Sequence, residues 1–212
     1  MSVTDTDSLI RTLARQAGAP EAHRFAHWQR STVAAAGLAL AVAVALIVIW
    51  IGARPDLAGA AAPVLRKLGS MLALAGGGLV LARRAARPGA VGSTAVALVP
   101  GGILLALGAA TDGSGASWLG HASLSAPGCV LAIVAVSLPG LGLVLGALRG
   151  GAPTRPRIAG AAAGVLAGAL GAAAYALACR NDGGLFVAIW YVAAVAVVSG
   201  LGALIGRRAL AW

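Results

Sequence analysis

The sequence predicts an all-α, polytopic membrane bundle of six transmembrane helices, preceded by a short cytoplasmic N-terminal helical segment. Three observations carry that prediction. Of the 212 residues, 59% are hydrophobic and only 10% are charged, against about 25% charged in a soluble domain that must cover its surface. Apolar runs recur near the ~20 residues needed to cross a hydrocarbon core. The basic residues gather in short connections between those runs, the bias that sets orientation in a bilayer. Ala, Gly, Leu and Val dominate, as expected where helices pack closely in lipid. So apolar a chain is not intrinsically disordered. Its net charge of +10 does not indicate direct nucleic-acid binding, because the arginines form no stripe along a reading helix.

Residues 1–30 read as the cytoplasmic segment. In "DTDSLIRTLARQAGAP", Leu9, Ile10, Leu13 and Ala17 share one helical face and Arg11 and Arg15 turn away. Asp5 and Asp7 suit the positive N-terminal end, and Gly18 with Pro20 stops the helix. An amphipathic face with no domain of its own to cover it suits a partner groove, so Leu9, Ile10 and Leu13 are the candidate partner-binding residues. "EAHRFAHWQR" leads to the bilayer, with Phe25 and Trp28 expected at the interface and Arg24 and Arg30 at headgroups. His23 and His27 have metal-like spacing, but no Glu lies between them as in the zinc-protease motif.

Residues 31–212 read as the transmembrane domain. Its spans fall near 31–52, 63–82, 90–110, 127–148, 157–179 and 184–206. The first run is longer than a signal-peptide core of about 7–15 residues and reads as a retained anchor. The second run is the least apolar: Arg66 and Lys67 lie within it and are expected to snorkel toward the interface. With the N-terminus inside, only Arg54, Arg66, Lys67 and Arg180 of the 16 basic residues fall outside. The loop "TDGSGASWLGHASLSA" has none. The expected topology is therefore N-in and C-in.

That topology puts the two cysteines at one depth. Cys129 opens the fourth span on the external side, and Cys179 closes the fifth on the same side. The short loop "RGGAPTRPR" makes those spans antiparallel neighbours. Gly160, Gly164, Gly168, Gly171, Tyr175 and Cys179 recur every three or four residues, within a stripe about 100° wide. Such glycines mark where a neighbouring helix packs closest, which turns Cys179 toward protein and away from lipid. A buried Cys is often only a small hydrophobe. A close external pair has two further readings: a disulfide couple or a soft-metal site on Cys129 and Cys179. Two ligands do not complete a tetrahedral zinc site; His121 is the external histidine available as a third.

Catalysis has little support. The six acids, Asp5, Asp7, Glu21, Asp56, Asp112 and Asp182, all lie in tails or loops, and no nucleophile–base set is apparent. Ion-coupled transporters usually carry carboxylates within their spans. The Gly-x-Gly of "LPGLGLVLGALRG" lies in an apolar run with no strand beside it, so it is not a nucleotide fingerprint. The chain is read as a non-enzyme without cofactor or small-molecule substrate, with a small six-helix transporter or channel of unknown substrate as the alternative.

Several motifs occur in order: the Cys129 to Pro139 spacing, "LRGGAPTRPRIAGAAAGVLAGALGAAAYALAC", "FVAIWY" and the ending "GALIGRRALAW". Together they resemble the NrsF family, six-helix membrane anti-sigma factors that act on ECF-type sigma factors. The resemblance is close over residues ~127–212 and earlier covers mainly layout, in "SLIRTLA" and "ARRAARPGA". The family usually has His just before the second Cys and Glu two residues after it; here those positions hold Ala178 and Asn181. An aromatic residue close before the first Cys is also missing. The resemblance implies an anti-sigma factor of the bacterial inner membrane. Its N-terminal segment would hold an ECF-type sigma factor, and its external cysteine pair would respond to redox or soft-metal stress.

Overall fold

The computed structural model describes residues 3–18, 21–87, 95–115, 117–121 and 124–211. The described chain is almost wholly helical. Helix α1 is Val3–Gly18, α2 is Glu21–Trp50 and α3 is Ala61–Ala85. Helix α4 is Ala95–Ala110, and its first turn, Ala95–Leu98, is a 3₁₀ turn. A minimal antiparallel ribbon follows, β1 at Gly120–His121 and β2 at Leu124–Ser125, with Gly120 paired to Ser125. Helix α5 is Ala126–Leu148, α6 is Pro156–Tyr175 and α7 is Gly184–Ala209. A π turn over Val187–Tyr191 interrupts α7.

Five of these helices, α2, α3, α5, α6 and α7, are long and apolar enough to cross a membrane. The expected third span differs. Its described part is the shorter helix α4, and residues 90–94 lie outside the described residues. Pro100 stands in the first turn of α4's regular part, where its missing N–H costs no helical bond.

Helix α6 is the axis of the bundle. Its Ala- and Gly-rich sequence presents little side-chain bulk, so neighbours approach on every side, and nearly all of Ala159–Tyr175 is buried. It packs most heavily on α7, then on α3, α5 and α2. Helix α2 lies mainly along α5, and α4 along α3. The outward faces remain apolar: Leu38, Ile49, Trp50, Leu131, Val197 and Leu204 are all exposed. A helix apolar all round suits lipid as its outer solvent.

Two expectations are corrected at the ends of the bundle. Trp28 was expected at a lipid interface, yet it is only 7% exposed. Helix α2 already begins at Glu21, so Trp28 is a helical residue carried inward. Its indole N–H donates to the Ala147 carbonyl at 3.1 Å. Its ring fills the space left by Gly150 and Gly151: a Cβ on Gly151 would meet Trp28 Cζ2 at 2.8 Å. Lys67 was expected to snorkel, yet it is 2% exposed, because a carboxylate partner lies within the protein, as described below.

Candidate functional site: the thiol pair and its ionic cover

The loops place both cysteines at one end of the bundle. Cys129 occupies the first turn of α5. Helix α6 ends at Tyr175, and the chain continues in tight turns whose last bond runs from the Cys179 N–H to the Tyr175 carbonyl, 3.0 Å. Both thiols are free and buried, at 1% and 0% exposure, and they lie within hydrogen-bonding reach of each other. Two tyrosines complete the cluster. The Tyr175 hydroxyl donates to Cys129 Sγ at 3.2 Å. Tyr191, from the π turn of α7, lies with its ring centroid 6.1 Å from that of Tyr175. Its hydroxyl neighbours Cys179 without reaching ordinary hydrogen-bond geometry. Asn181 is buried beside them and bonds to Cys129.

Two cations close over this cluster. Arg54, in the loop after α2, donates to the Cys179 carbonyl at 3.3 Å, and Lys67 Nζ, near the start of α3, donates to the same carbonyl at 3.1 Å. Asp182 joins them: it takes Lys67 Nζ at 2.7 Å and both terminal nitrogens of Arg54 at 2.8 and 3.0 Å. Asp56 accepts two further bonds from Arg54, each 2.9 Å. The backbone N–H of Arg54 also donates to the Leu177 carbonyl at 3.0 Å. A buried cation is tolerable only when paired and hydrogen-bonded, and this network supplies both conditions.

The loop carboxylates respond to this setting. The hydrogen bond from Arg54 holds the Asp56 carboxyl down to about 2. Burial alone would push Asp182 up, but its bonds from Arg54 and Lys67 outweigh that and hold it low. The Arg54 guanidinium is pushed up, first by its bond to Asp56 and then by that to Asp182. Asp112, across the loop, is held down by the Ser114 hydroxyl and then by the Leu185 N–H at the start of α7.

The sulfurs sit among phenols and an amide, with cations over Cys179. Among the described residues, no three His, Cys, Asp or Glu side chains are grouped to hold a metal ion. The side chains of His23 and His121 lie outside the described residues.

The glycine stripe divides between two neighbours. Gly160 meets the backbone of Gly202 and Gly206, Gly164 meets Val198 and Ser199, and Gly168 meets Val195 and Val198, all on α7. Gly171 instead meets Ser137 of α5. Helix α1 stands apart, touching mainly α2. Its Leu9, Ile10 and Leu13 are 55%, 57% and 55% exposed.

Sequence reasoning missed Arg54, Lys67, Asp182 and Tyr191 as parts of one site. A signal was present for Lys67: a charge inside an apolar run calls for a partner. Asp182, three residues past Cys179, is the acid that meets it.

The fold and site define a class: an apolar multi-helix bundle with a sealed thiol pair at one end and an exposed amphipathic helix at the other. The particular family follows from comparison. A family profile described as "NrsF: Negative regulator of sigma F" matches residues 13–212, and the chain belongs to that family. The chain is 35% identical to the "Probable anti-sigma-F factor NrsF" of Azospira oryzae, over 98% of this chain and 99% of that one. It is also 35% identical to the "Anti-sigma-F factor NrsF" of Caulobacter vibrioides, with the same coverage. No solved structure matches the chain.

Proposed function

We propose that this protein is a membrane-embedded anti-sigma factor. It sequesters an ECF-type sigma factor at the bacterial inner membrane and releases it when the Cys129–Cys179 pair reacts with an oxidant or binds a soft metal ion. In this reading the chain crosses the membrane six times, with α4 and the residues before it as the third crossing and both termini cytoplasmic. Membership of a family of sigma-factor negative regulators supports the sigma-factor partner. The observation that carries the division of labour is the separation of two features. A buried thiol pair occupies one end of the bundle. An exposed Leu9–Ile10–Leu13 face lies on α1, before the other end.

The close α6–α7 contact through Gly160, Gly164 and Gly168 is the proposed route between them, since helices packed through glycine leave little slack. The coupling needed is small. A few kcal/mol of differential binding between two states turns a mostly bound sigma factor into a mostly free one.

The test is a paired substitution, Leu9→Asp with Leu13→Asp, in cells carrying a reporter driven by the cognate sigma factor. The reporter is expected to become constitutive while the variant stays in the membrane at the wild-type level. A reporter that remains repressed with the variant present rejects the contact face. A transporter would show no such dependence on residues 5–17.

A further inference from the structure

We propose that Lys67 and Arg54, clamped by Asp182, are positioning residues that make Cys179 the attacking thiol of the pair and Cys129 the resolving one. This deepens the sensor reading above and rests on it only for its biological consequence. The chemistry is read on the purified protein without a sigma factor, so its failure and the failure of that reading are separate results.

Both cysteines are almost wholly covered, so surface exposure does not distinguish them; their surroundings do. Both cations converge on the carbonyl of Cys179, and the charge of Lys67 bears on its sulfur. Cys129 has no cation against it among the bonds described; its sulfur accepts from a neutral phenol, Tyr175. The bonds also have a direction. Tyr175 donates to Cys129 Sγ, which leaves the Cys129 proton free to point at Cys179. A negative charge on Cys179 is then met by a thiol proton, the Tyr191 hydroxyl beside it and the Lys67 ammonium. A thiolate on Cys129 would have only neutral donors. A thiolate gains from nearby cations, and the thiolate is the nucleophile.

The groups around Cys179 are Cys129 from α5, Tyr175 from α6, Tyr191 from α7 and Lys67 from α3, with Arg54 from the loop after α2 on its carbonyl and Asp182 on both cations. Asp182 moderates the cations and also holds them in place, alone among the carboxylates for Lys67 and together with Asp56 for Arg54.

With a hydroperoxide as oxidant, the step balances as follows. The Cys179 thiolate attacks the terminal oxygen, the O–O bond breaks, and the alkoxide leaves and takes up a proton to become an alcohol. Cys179 is then a sulfenic acid. The Cys129 sulfur attacks it, the S–O bond breaks, and the hydroxide leaves as water with the Cys129 proton. Two electrons pass from the pair to the peroxide, and a disulfide remains.

The experiment uses the full chain in detergent, reduced, with a small uncharged alkylating reagent across pH 5 to 9 and peptide mass spectrometry of each cysteine. Cys179 is expected to be alkylated at least ~10-fold faster than Cys129 at pH 7, with its rate levelling off at the lower pH. Equal rates, or Cys129 ahead, overturn the assignment, and this measurement needs no substitution. After hydroperoxide treatment, a sulfenic-acid probe should label Cys179 in Cys129→Ser and leave Cys129 unlabelled in Cys179→Ser; labelling in the opposite variant also overturns it. Lys67→Met should move the Cys179 profile to higher pH, and Lys67→Arg should restore it. An unmoved profile in a Lys67→Met protein that melts as a folded one removes Lys67 from the role.

Discussion

The two ends of this bundle are built on opposite plans. At the thiol end, Arg54, Lys67 and Asp182 join segments 115 and 128 residues apart by direct ion pairs, and the side chains they cover are sealed. At the other end the long-range bonds described are neutral at the acceptor: Trp28 to the Ala147 carbonyl, Arg83 to Thr32 and the Gln29 carbonyl, and Arg149 to the Ala209 carbonyl. There the acceptors described are carbonyls and a hydroxyl, and Leu9, Ile10 and Leu13 of α1 are uncovered. The difference teaches where the fold invests its rigidity. One end is fixed by charges that cannot separate cheaply. The other is held by neutral acceptors and offers surface.

Three measurements break or sharpen that contrast. The largest effect is expected from Asp182→Ala, which leaves Lys67 buried without its carboxylate. Removing one partner of a buried pair costs about 3 kcal/mol or more. Thermal unfolding in detergent should show a large drop, and Arg149→Ala at the opposite end should show little. Similar drops for the two variants would abolish the contrast. Next is Gly160→Val. A Cβ there would strike the Gly202 carbonyl and come within 2.9 Å of Gly206 Cα, so a cost of about 2 kcal/mol is expected from overpacking. Gly200→Val is the matched control, because nothing lies within 4 Å of its Cβ position, and about 0.5 kcal/mol or less is expected. Equal costs would mean that α6 and α7 are not in fixed contact.

The smallest effect concerns acid. The Asp56 carboxyl is held at about 2, below its ordinary 3.8, first by the Arg54 bond. A lowered folded value adds stability that is fully present above the unfolded value and is lost as pH falls through the folded one. The melting temperature should therefore change little through Asp56 from neutral pH down to about 4, and decline toward about 2. Asp56→Asn should flatten part of that acid limb and lower the neutral melting temperature by the same amount, which is small because the Asp56 side chain is 47% exposed. A full loss at neutral pH would mean that Asp56, not Asp182, is the main anchor of Arg54.

Much of the helical layout was legible because apolar length is a strong signal. The second run, expected at 63–82, is the helix Ala61–Ala85. The fifth, expected to reach residue 179, ends as a helix at Tyr175, since the apolar composition of "ALAC" continues through turns that hydropathy does not distinguish. The glycine period shows which face of α6 is narrow. It does not show which helix fills it, because in an apolar bundle every neighbour has the same polarity; here three of the four glycines meet α7. The ionic cover was the least legible part. Lys67 reads as a snorkelling side chain until Asp182, 115 residues later, is placed against it. Trp28 reads as an interfacial aromatic until Gly150 and Gly151 make room for its ring.

The long reach of the ionic cover has a consequence for how the chain is made. Lys67 and Arg54 leave the ribosome well before Asp182, by 115 and 128 residues respectively. At about 5–20 residues per second, that is a wait on the order of ten seconds. Throughout it, Lys67 lacks the carboxylate that meets it in the folded protein, and Arg54 has only Asp56. The cover can close only after α6 has threaded among its neighbours and the segment beyond it has emerged. A nascent chain stalled before residue 182 therefore leaves Lys67 without its carboxylate and Arg54 with Asp56 alone.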